Sequence, residues 1–272
     1  MAKMVRLNEY KGSFGAAIGD IVGSVYEFDS GPKLEKDAVV LFSKESEFTD
    51  DTVMTVAVSE YLFHNPKNLP MKDFLLSWGH AYPNAGYGGS FLGYLFFEDD
   101  PKPYNSFGNG AAMRISAVAY KAKSEEEVKK LSYEVTSPTH NHPEGLKGAE
   151  VTAMAIYKAL HGESKEKIEA YARQYYDLDL DYQEMHAERS HGPEICQVTV
   201  PQALWCFFHS ESFEDCLRLA ITIRWDADTL ADIACSIAEA YYKEIPENIL
   251  LEAKKRLPKD ILEALERIEK DF

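Results

Sequence analysis

Apolar residues that recur every three or four positions constrain this chain more than any other feature. Leu230, Ile233, Ala234, Ile237, Ala238 and Tyr241 follow that spacing, as do Val151, Met154, Ala155, Tyr157 and Ala159, so each set lines the buried face of a helix. Start signals agree. Ser124–Glu127, Ser212–Asp215 and Thr229–Asp232 each place a hydroxyl three residues before an acid, the capping-box spacing that satisfies free amides at a helix start. Asn65-Pro66, Pro83-Asn84, Pro101-Lys102-Pro103, Ser137-Pro138 and Ile245-Pro246 supply stops, which divides the chain into ten or more helices. Val39 to Phe42 is the one β-like run, and no alternation is long enough for a sheet. The expected class is all-α.

The 272 residues stand near two domains' worth, yet no linker, low-complexity tract or repeat interrupts them, so one helical domain over residues 1–272 is the simpler expectation. Residues 29–48 and 177–197 read as long polar loops, a common place for function. The best apolar window, residues 13–28, is cut by Asp20 and Glu27 and is too short for a membrane helix, and the amino terminus lacks the apolar core of a secretory signal. A cytoplasmic protein is expected, with Cys196, Cys206, Cys216 and Cys235 as small core residues, since none forms a CxxC pair. The net charge of −16 repels a phosphate backbone, so nucleic acid is expected only as a modified substrate, and a phosphorylated ligand needs a bound cation to reverse the local sign.

Two acid-rich segments stand immediately before apolar helices. Phe48-Thr49-Asp50-Asp51-Thr52 stands before the helical stretch Val53 to Phe63, and Asp226-Ala227-Asp228-Thr229 before the one containing Ile233. Inside a helix such neighbours diverge, whereas at a helix start a non-helical cap residue turns them to one side. Simple capping explains either segment alone. Two together suggest a shared site of oxygen ligands, which selects magnesium, manganese or calcium over zinc. A calcium EF-hand is excluded, because Ala231 and Ile237 stand where its loop needs Gly and Glu. Asp20 and Glu27 are two helical turns apart and share a face if their helix persists. Tyr26 and Phe28 beside Glu27 would desolvate its carboxylate and raise its pKa toward that of a general base. The glycine-bearing stretches 84–90 and 106–114 match no phosphate-loop fingerprint, and His140 and His142 before Pro143 read more readily as capping or hydrogen-bonding groups than as metal ligands.

Taken in order, GDxxGSxxEF at 19–28, FTDDT at 48–52, NAGYGG at 84–89, SFGNGAAMR at 106–114, THNHPEG at 139–145 and DADT at 226–229 resemble the ADP-ribosylglycohydrolase family over nearly the whole chain. The resemblance implies a compact orthogonal multi-helix fold and two divalent cations, Mg²⁺ or Mn²⁺, held by Thr49, Asp50, Asp51, Asp226, Asp228 and Thr229. Glu27 aligns with the general base of part of the family and joins Asp50, Asp51 and Asp228 as the expected catalytic set. Gly86, Gly88 and Gly89, with Ser106, Gly108, Asn109, Gly110 and His140, are the expected contacts to ADP-ribose.

The implied activity is metal-dependent cleavage of the glycosidic bond between ADP-ribose and a modified macromolecule, arginine being the preferred acceptor. The alternatives are an ADP-ribose-binding member without turnover and an all-α nucleotide pyrophosphohydrolase. One departure stands out: where the family carries Gly-Gly before the second acidic motif, this chain has Arg224-Trp225. Two bulky residues there would reshape the ribose end of the pocket, add a stacking platform or block catalysis, and Arg224 would suit a phosphate.

Overall fold

A computed structural model describes residues 3–28, 34–187, 193–223 and 225–270. The helical spacing is realised throughout. In chain order the helices are α1 (Gly15–Gly23), α2 (Asp50–Phe63), α3 (Met71–Ala81), α4 (Gly89–Phe96), α5 (Gly110–Met113), α6 (Ser116–Lys121), α7 (Glu125–Thr136) and α8 (Pro143–Leu160). They continue with α9 (Lys165–Ala172), α10 (Tyr182–Ala187), α11 (Cys196–Phe208), α12 (Phe213–Ile223), α13 (Ala227–Tyr242), α14 (Glu247–Lys254) and α15 (Lys259–Glu266). A 3₁₀ turn, Lys36–Ala38, separates α1 from α2.

Two capping boxes hold. The Ser124 and Ser212 hydroxyls accept from the amides of Glu127 and Asp215 at 3.2 and 3.1 Å, and the two carboxylates reach back to the amides of Lys123 and Glu211. The third does not. α13 begins three residues earlier than Thr229–Asp232 suggests, with Asp226 as its cap residue; the Thr229 hydroxyl donates instead to Asp51, 3.3 Å away, and Asp232 is buried. Val39–Phe42 forms no strand either. The described strands are β1 (Met4–Arg6) and β2 (Glu244–Pro246), antiparallel with Val5 opposite Ile245. Three residues are too few to show alternation, and the Ile245-Pro246 stop is itself part of β2, where a proline is tolerated because each strand has a free edge.

The centre of the molecule is the antiparallel pair α1 and α13. Every residue of α1 is buried, and α2, α8, α11 and α12 enclose the pair. Gly15, Gly19 and Gly23, four residues apart, lie on the face of α1 that meets α13. A Cβ there would come within 2.4 Å of the Cys235 carbonyl, 2.3 Å of the Ala231 backbone and 2.3 Å of the Asp228 Cα, respectively. The glycines let two backbones touch, and Asp228 is thereby fixed against the end of α1. All four cysteines are buried free thiols in the core, as expected. Among the described residues no helix is long and apolar enough to cross a membrane.

The start of α1 is capped from a distance. Phe14 offers no side-chain cap, and Glu239 of α13 accepts from the amides of Phe14 (3.1 Å) and Gly15 (2.7 Å), the Ser13 hydroxyl (2.7 Å) and the Tyr10 hydroxyl (2.6 Å). Replacing it strands several buried donors, each costing about 1–3 kcal/mol where unsatisfied. Glu239→Ala is therefore expected to lower unfolding stability by about 2–3 kcal/mol, read from the urea midpoint at unchanged slope.

Candidate active site

The amino-terminal ends of α2 and α13 meet beside the carboxy-terminal end of α1, so the two acid-rich segments do share one place. Asp20, Asp51 and Asp228 each bring a carboxylate oxygen within 4.8 Å of the other two, and so do Glu27, Asp226 and Asp228. Asp228 belongs to both trios. Asp226 and Asp228 converge although Asp228 lies inside the first turn, because the backbone of Asp226 is not helical (φ −89°, ψ 64°). Asp50 belongs to neither trio and sits opposite Gly86.

Hydroxyls tie the two helix starts together. Thr49 caps α2, accepting from the Asp51 amide, and its Oγ1 lies 2.8 Å from Asp20 and 3.5 Å from Asp228; the Thr229 hydroxyl reaches Asp51. The link the sequence does not announce is Asp20. Its carboxylate accepts from the backbone amides of Thr49 (2.9 Å) and Thr52 (3.1 Å) and from both their hydroxyls, so it holds the start of α2 from the last turn of α1. α1 ends at Gly23, so Asp20 and Glu27 do not share a helix face; Glu27 stands in the turn that follows, its amide bonded to the Gly23 carbonyl.

Crowded, buried acids resist ionisation. Burial, then Asp226, Asp20 and Glu194, push the Glu27 carboxyl up to about 7, in the direction expected of it. Phe28 lies beside Glu27 at the cleft, whereas Tyr26 is turned away with its hydroxyl on the Val40 backbone. Burial pushes Asp20 up to about 6 against its hydrogen bonds. Asp50, Asp51 and Asp228 are likewise raised, first by burial and then by one another and their acidic neighbours. One oxygen of Asp51, Oδ1, is buried with no hydrogen-bond partner.

The acids line one end of a cleft of about 370 Å³. Its other walls are the expected glycine-rich segments. Gly86, Gly88 and Gly89 line it from the turn before α4, and Gly86 has a φ of +101° that only glycine adopts without strain. Ser106, Gly108, Asn109 and Gly110 face them from a loop pinned to the segment before α11, where the Asn109 amide donates to the Glu194 carbonyl (3.1 Å) and the Cys196 amide to that of Phe107 (3.0 Å). The Asn109 side chain donates to Asp226 and lies 3.0 Å from the Thr199 hydroxyl, coupling this loop to the acids. His140 lines the cleft, buried and held well below its usual pKa by burial and by Arg114; His142 caps α8, accepting from the Glu144 amide at 3.1 Å.

Arg114 is the functional residue that sequence reasoning passed over, although it closes the SFGNGAAMR motif. It is 1% exposed, lines the cleft and donates to the Thr139 hydroxyl at 2.6 Å, with the Phe91 ring 6.0 Å away. No carboxylate is paired with it among the described residues, so a cation remains in the cleft wall of a strongly acidic protein. Glu194, at the rim, comes from the long polar segment 177–197.

Arg224 lies outside the described residues. Trp225 has a φ of +66°, a left-handed conformation that favours glycine; its carbonyl accepts from the Phe28 amide at 2.6 Å and its ring meets Phe28 edge-on at 4.9 Å. Trp225 therefore supports Phe28, which lines the cleft beside Glu27, and does not itself line it.

A predominantly helical scaffold brings oxygen-only carboxylate trios, a donor set that could hold a metal ion, to a glycine-walled cleft. The ADP-ribosylglycohydrolase family profile matches residues 4–272. The chain is 27% identical over 312 residues to ADP-ribosylhydrolase ARH3 of Mus musculus, covering 86% of this chain and 84% of that protein. It is 25% identical over 268 residues to ADP-ribosylarginine hydrolase Tri1 of Serratia proteamaculans (strain 568), covering 87% and 72%. A solved structure described as an ADP-ribosylglycohydrolase-related protein complex superposes with a TM-score of 0.67 at 25% identity, over 94% of both chains. The chain belongs to the ADP-ribosylglycohydrolase family, and it is an enzyme of that glycohydrolase class.

Proposed function

We propose that this protein hydrolyses the N-glycosidic bond between ADP-ribose and arginine of a modified protein, with two divalent cations, Mg²⁺ or Mn²⁺, as cofactors. The observation that carries the reading is the pair of carboxylate trios sharing Asp228 in a cleft that is also lined by a buried Arg114 with no carboxylate partner among the described residues.

The residues fit divalent cations. The donors are all oxygens, the acids are raised by burial first and then by one another, and the buried Asp51 Oδ1 has no partner. Thr49, Asp50, Asp51, Asp226, Asp228 and Thr229 would hold them, with Asp20 fixing Thr49 from behind. Such cations supply Lewis-acid polarisation of the sugar hydroxyls and offset the negative charge of the diphosphate. The cleft then divides the ligand: ribose at the acids, diphosphate along the Gly86–Gly89 and Ser106–Gly110 walls toward Arg114, and the remaining ring toward His140. Backbone amides without side chains approach phosphate oxygens closely, and Arg114 contributes a fixed positive charge.

Glu27 acts on water. Its carboxylate takes a proton as the water oxygen bonds to the anomeric carbon, the bond from that carbon to the guanidino nitrogen breaks, and the leaving nitrogen gains a proton. The oxocarbenium-like transition state gains from the surrounding negative charge. Acceptor preference is read from the adjoining hollow of about 390 Å³, which meets the cleft at Glu27 and Gly86 and carries Glu45, Glu47, Phe48 and Tyr82. Carboxylates beside aromatic faces suit a planar guanidinium better than a serine hydroxyl. Similarity to the Serratia ADP-ribosylarginine hydrolase supports the same acceptor.

The test is release of ADP-ribose from arginine-modified and serine-modified protein in Mg²⁺ or Mn²⁺. Release from arginine at least tenfold faster than from serine, abolished by EDTA, is expected. Equal or faster release from serine overturns the acceptor assignment. Release of AMP in place of ADP-ribose, or tight ADP-ribose binding with no turnover on either linkage, overturns the reaction.

A further inference from the structure

The helices that carry the acids also frame a second, larger cavity at their opposite ends. The carboxy-terminal cap residues of α2 and α13, His64 and Lys243, both line a hollow of about 840 Å³. At a rise of about 1.5 Å per residue, these helices separate it from the acidic trios by roughly 20 Å. Its remaining walls are residues 6–8 and 10–12 ahead of α1 and residues 266–270 at and beyond the end of α15.

The charge of this cavity is opposite to that of the chain. Arg6, Lys11, Lys243, Arg267 and Lys270 line it against Glu266 and Glu269. Glu266 is engaged by Lys254 at 2.8 Å, and Arg267 by Glu60 at 2.9 Å. The others have no carboxylate partner among the described residues. Lys243 donates to the Leu160 carbonyl (2.9 Å), a neutral partner that leaves its charge uncompensated. Lys270 donates to the carbonyls of Leu7 (2.5 Å) and Tyr10 (3.0 Å), and burial pushes its ammonium down to about 8 against the pull of Glu239, so it adds less to the field of the hollow. Helix carboxy-terminal dipoles account for cations placed like Lys243. They do not account for Arg6, which ends β1, or Lys11, which stands in the turn before α1; both are exposed. In a chain with 45 acids and 29 bases, three cations without acidic partners around one hollow, Arg6, Lys11 and Lys243, are an anion-attracting surface.

We propose that this cavity is a second ligand site, separate from the acidic cleft, for a small polyphosphorylated molecule of nucleoside-polyphosphate size. Its volume lies within the range of about 300–1,000 Å³ for small-molecule sites, and several converging cations match a polyphosphate better than a single carboxylate.

Calorimetric titration of the full chain in EDTA tests this with ATP, tripolyphosphate and adenosine as probes. Binding of ATP or tripolyphosphate, weakened at least fivefold between 50 and 300 mM NaCl, with no heat from adenosine, is expected, as screening of exposed charges requires. Tripolyphosphate as tight as ATP points to an inorganic source and tighter ATP to a nucleotide; both support the site. Arg6→Glu/Lys11→Glu should weaken binding at least tenfold while keeping turnover and melting temperature, and Arg6→Gln/Lys11→Gln should weaken it less. Asp50→Ala, in the other cleft, should leave ATP binding unchanged. The proposal is overturned by no binding to the wild type, by equal affinity in both double variants, by loss in Asp50→Ala, or by adenosine binding as tightly as ATP.

Discussion

Asp228→Asn is expected to lower kcat/KM for ADP-ribose release at least a thousandfold and, in EDTA, to raise the melting temperature. Both effects come from one charge. Asp228 is 2% exposed and contributes to both carboxylate trios, so it is the acid most needed by bound cations and the one most repelled without them. Burial first, then Asp226, Glu27 and Asp20, hold its carboxyl well above the usual carboxylate range. Asparagine keeps the shape, removes the charge and leaves the cluster one repulsion fewer. Relief of buried like charge is worth about 1–2 kcal/mol, or about 2–4 °C per kcal/mol at this chain length. Weakened cation binding forfeits several kcal/mol of transition-state stabilisation, and about 4 kcal/mol is a thousandfold. In Mn²⁺ the order of stability should reverse, since ligand binding stabilises only the protein that can bind. Turnover in Asp228→Asn that is still EDTA-sensitive and within tenfold of wild type would remove the shared-carboxylate assignment.

What the sequence makes legible is what a single helical turn satisfies. The Ser124 and Ser212 caps, His142 before Pro143 and the acid-rich starts of α2 and α13 all draw on amides within three residues of the side chain, so their spacing is visible in the chain. Thr229–Asp232 has the same spacing and misleads, because the Thr229 hydroxyl finds Asp51 across the site, a partner 178 residues away. The bonds that assemble the site are of that non-local kind. Asp20 reaches Thr49 and Thr52, and Glu239 reaches Gly15 from 224 residues away, without a local signature for either. Arg114 shows the same limit. Its role follows from being buried without a carboxylate, which no spacing encodes. The family resemblance supplied the ordered motifs, and every residue it assigned to ADP-ribose lines one cleft, whereas Asp20 and Glu194 needed the packing of α1 and the segment before α11 to appear.

Gly19→Ala is expected to destabilise the protein by about 4 kcal/mol, against the sign that helix propensity gives. In an exposed helix the change gains about 1 kcal/mol. Here the new Cβ would stand 2.3 Å from the Ala231 carbonyl and 2.4 Å from the Asp232 amide, backbone atoms of a helix that cannot rotate aside. α1 must move away from α13, yet it is buried on every side, so the neighbouring layers must yield with it. Overpacking costs about 1–3 kcal/mol where side chains can adjust, and more where they cannot. Gly93→Ala supplies the control. It lies within α4 with nothing within 4 Å of the added carbon, so the same substitution there should be neutral or stabilise by up to about 1 kcal/mol. Opposite signs for one chemical change separate packing from propensity. Because the α1–α13 spacing also sets how closely Asp20 approaches Asp228, Gly19→Ala should weaken Mn²⁺ binding even where the variant remains folded. Gly23→Ala, whose Cβ would lie 2.3 Å from the Asp228 Cα, should weaken it further at comparable stability, and Mn²⁺ affinity in both variants equal to wild type would show that the trios tolerate a displaced α1.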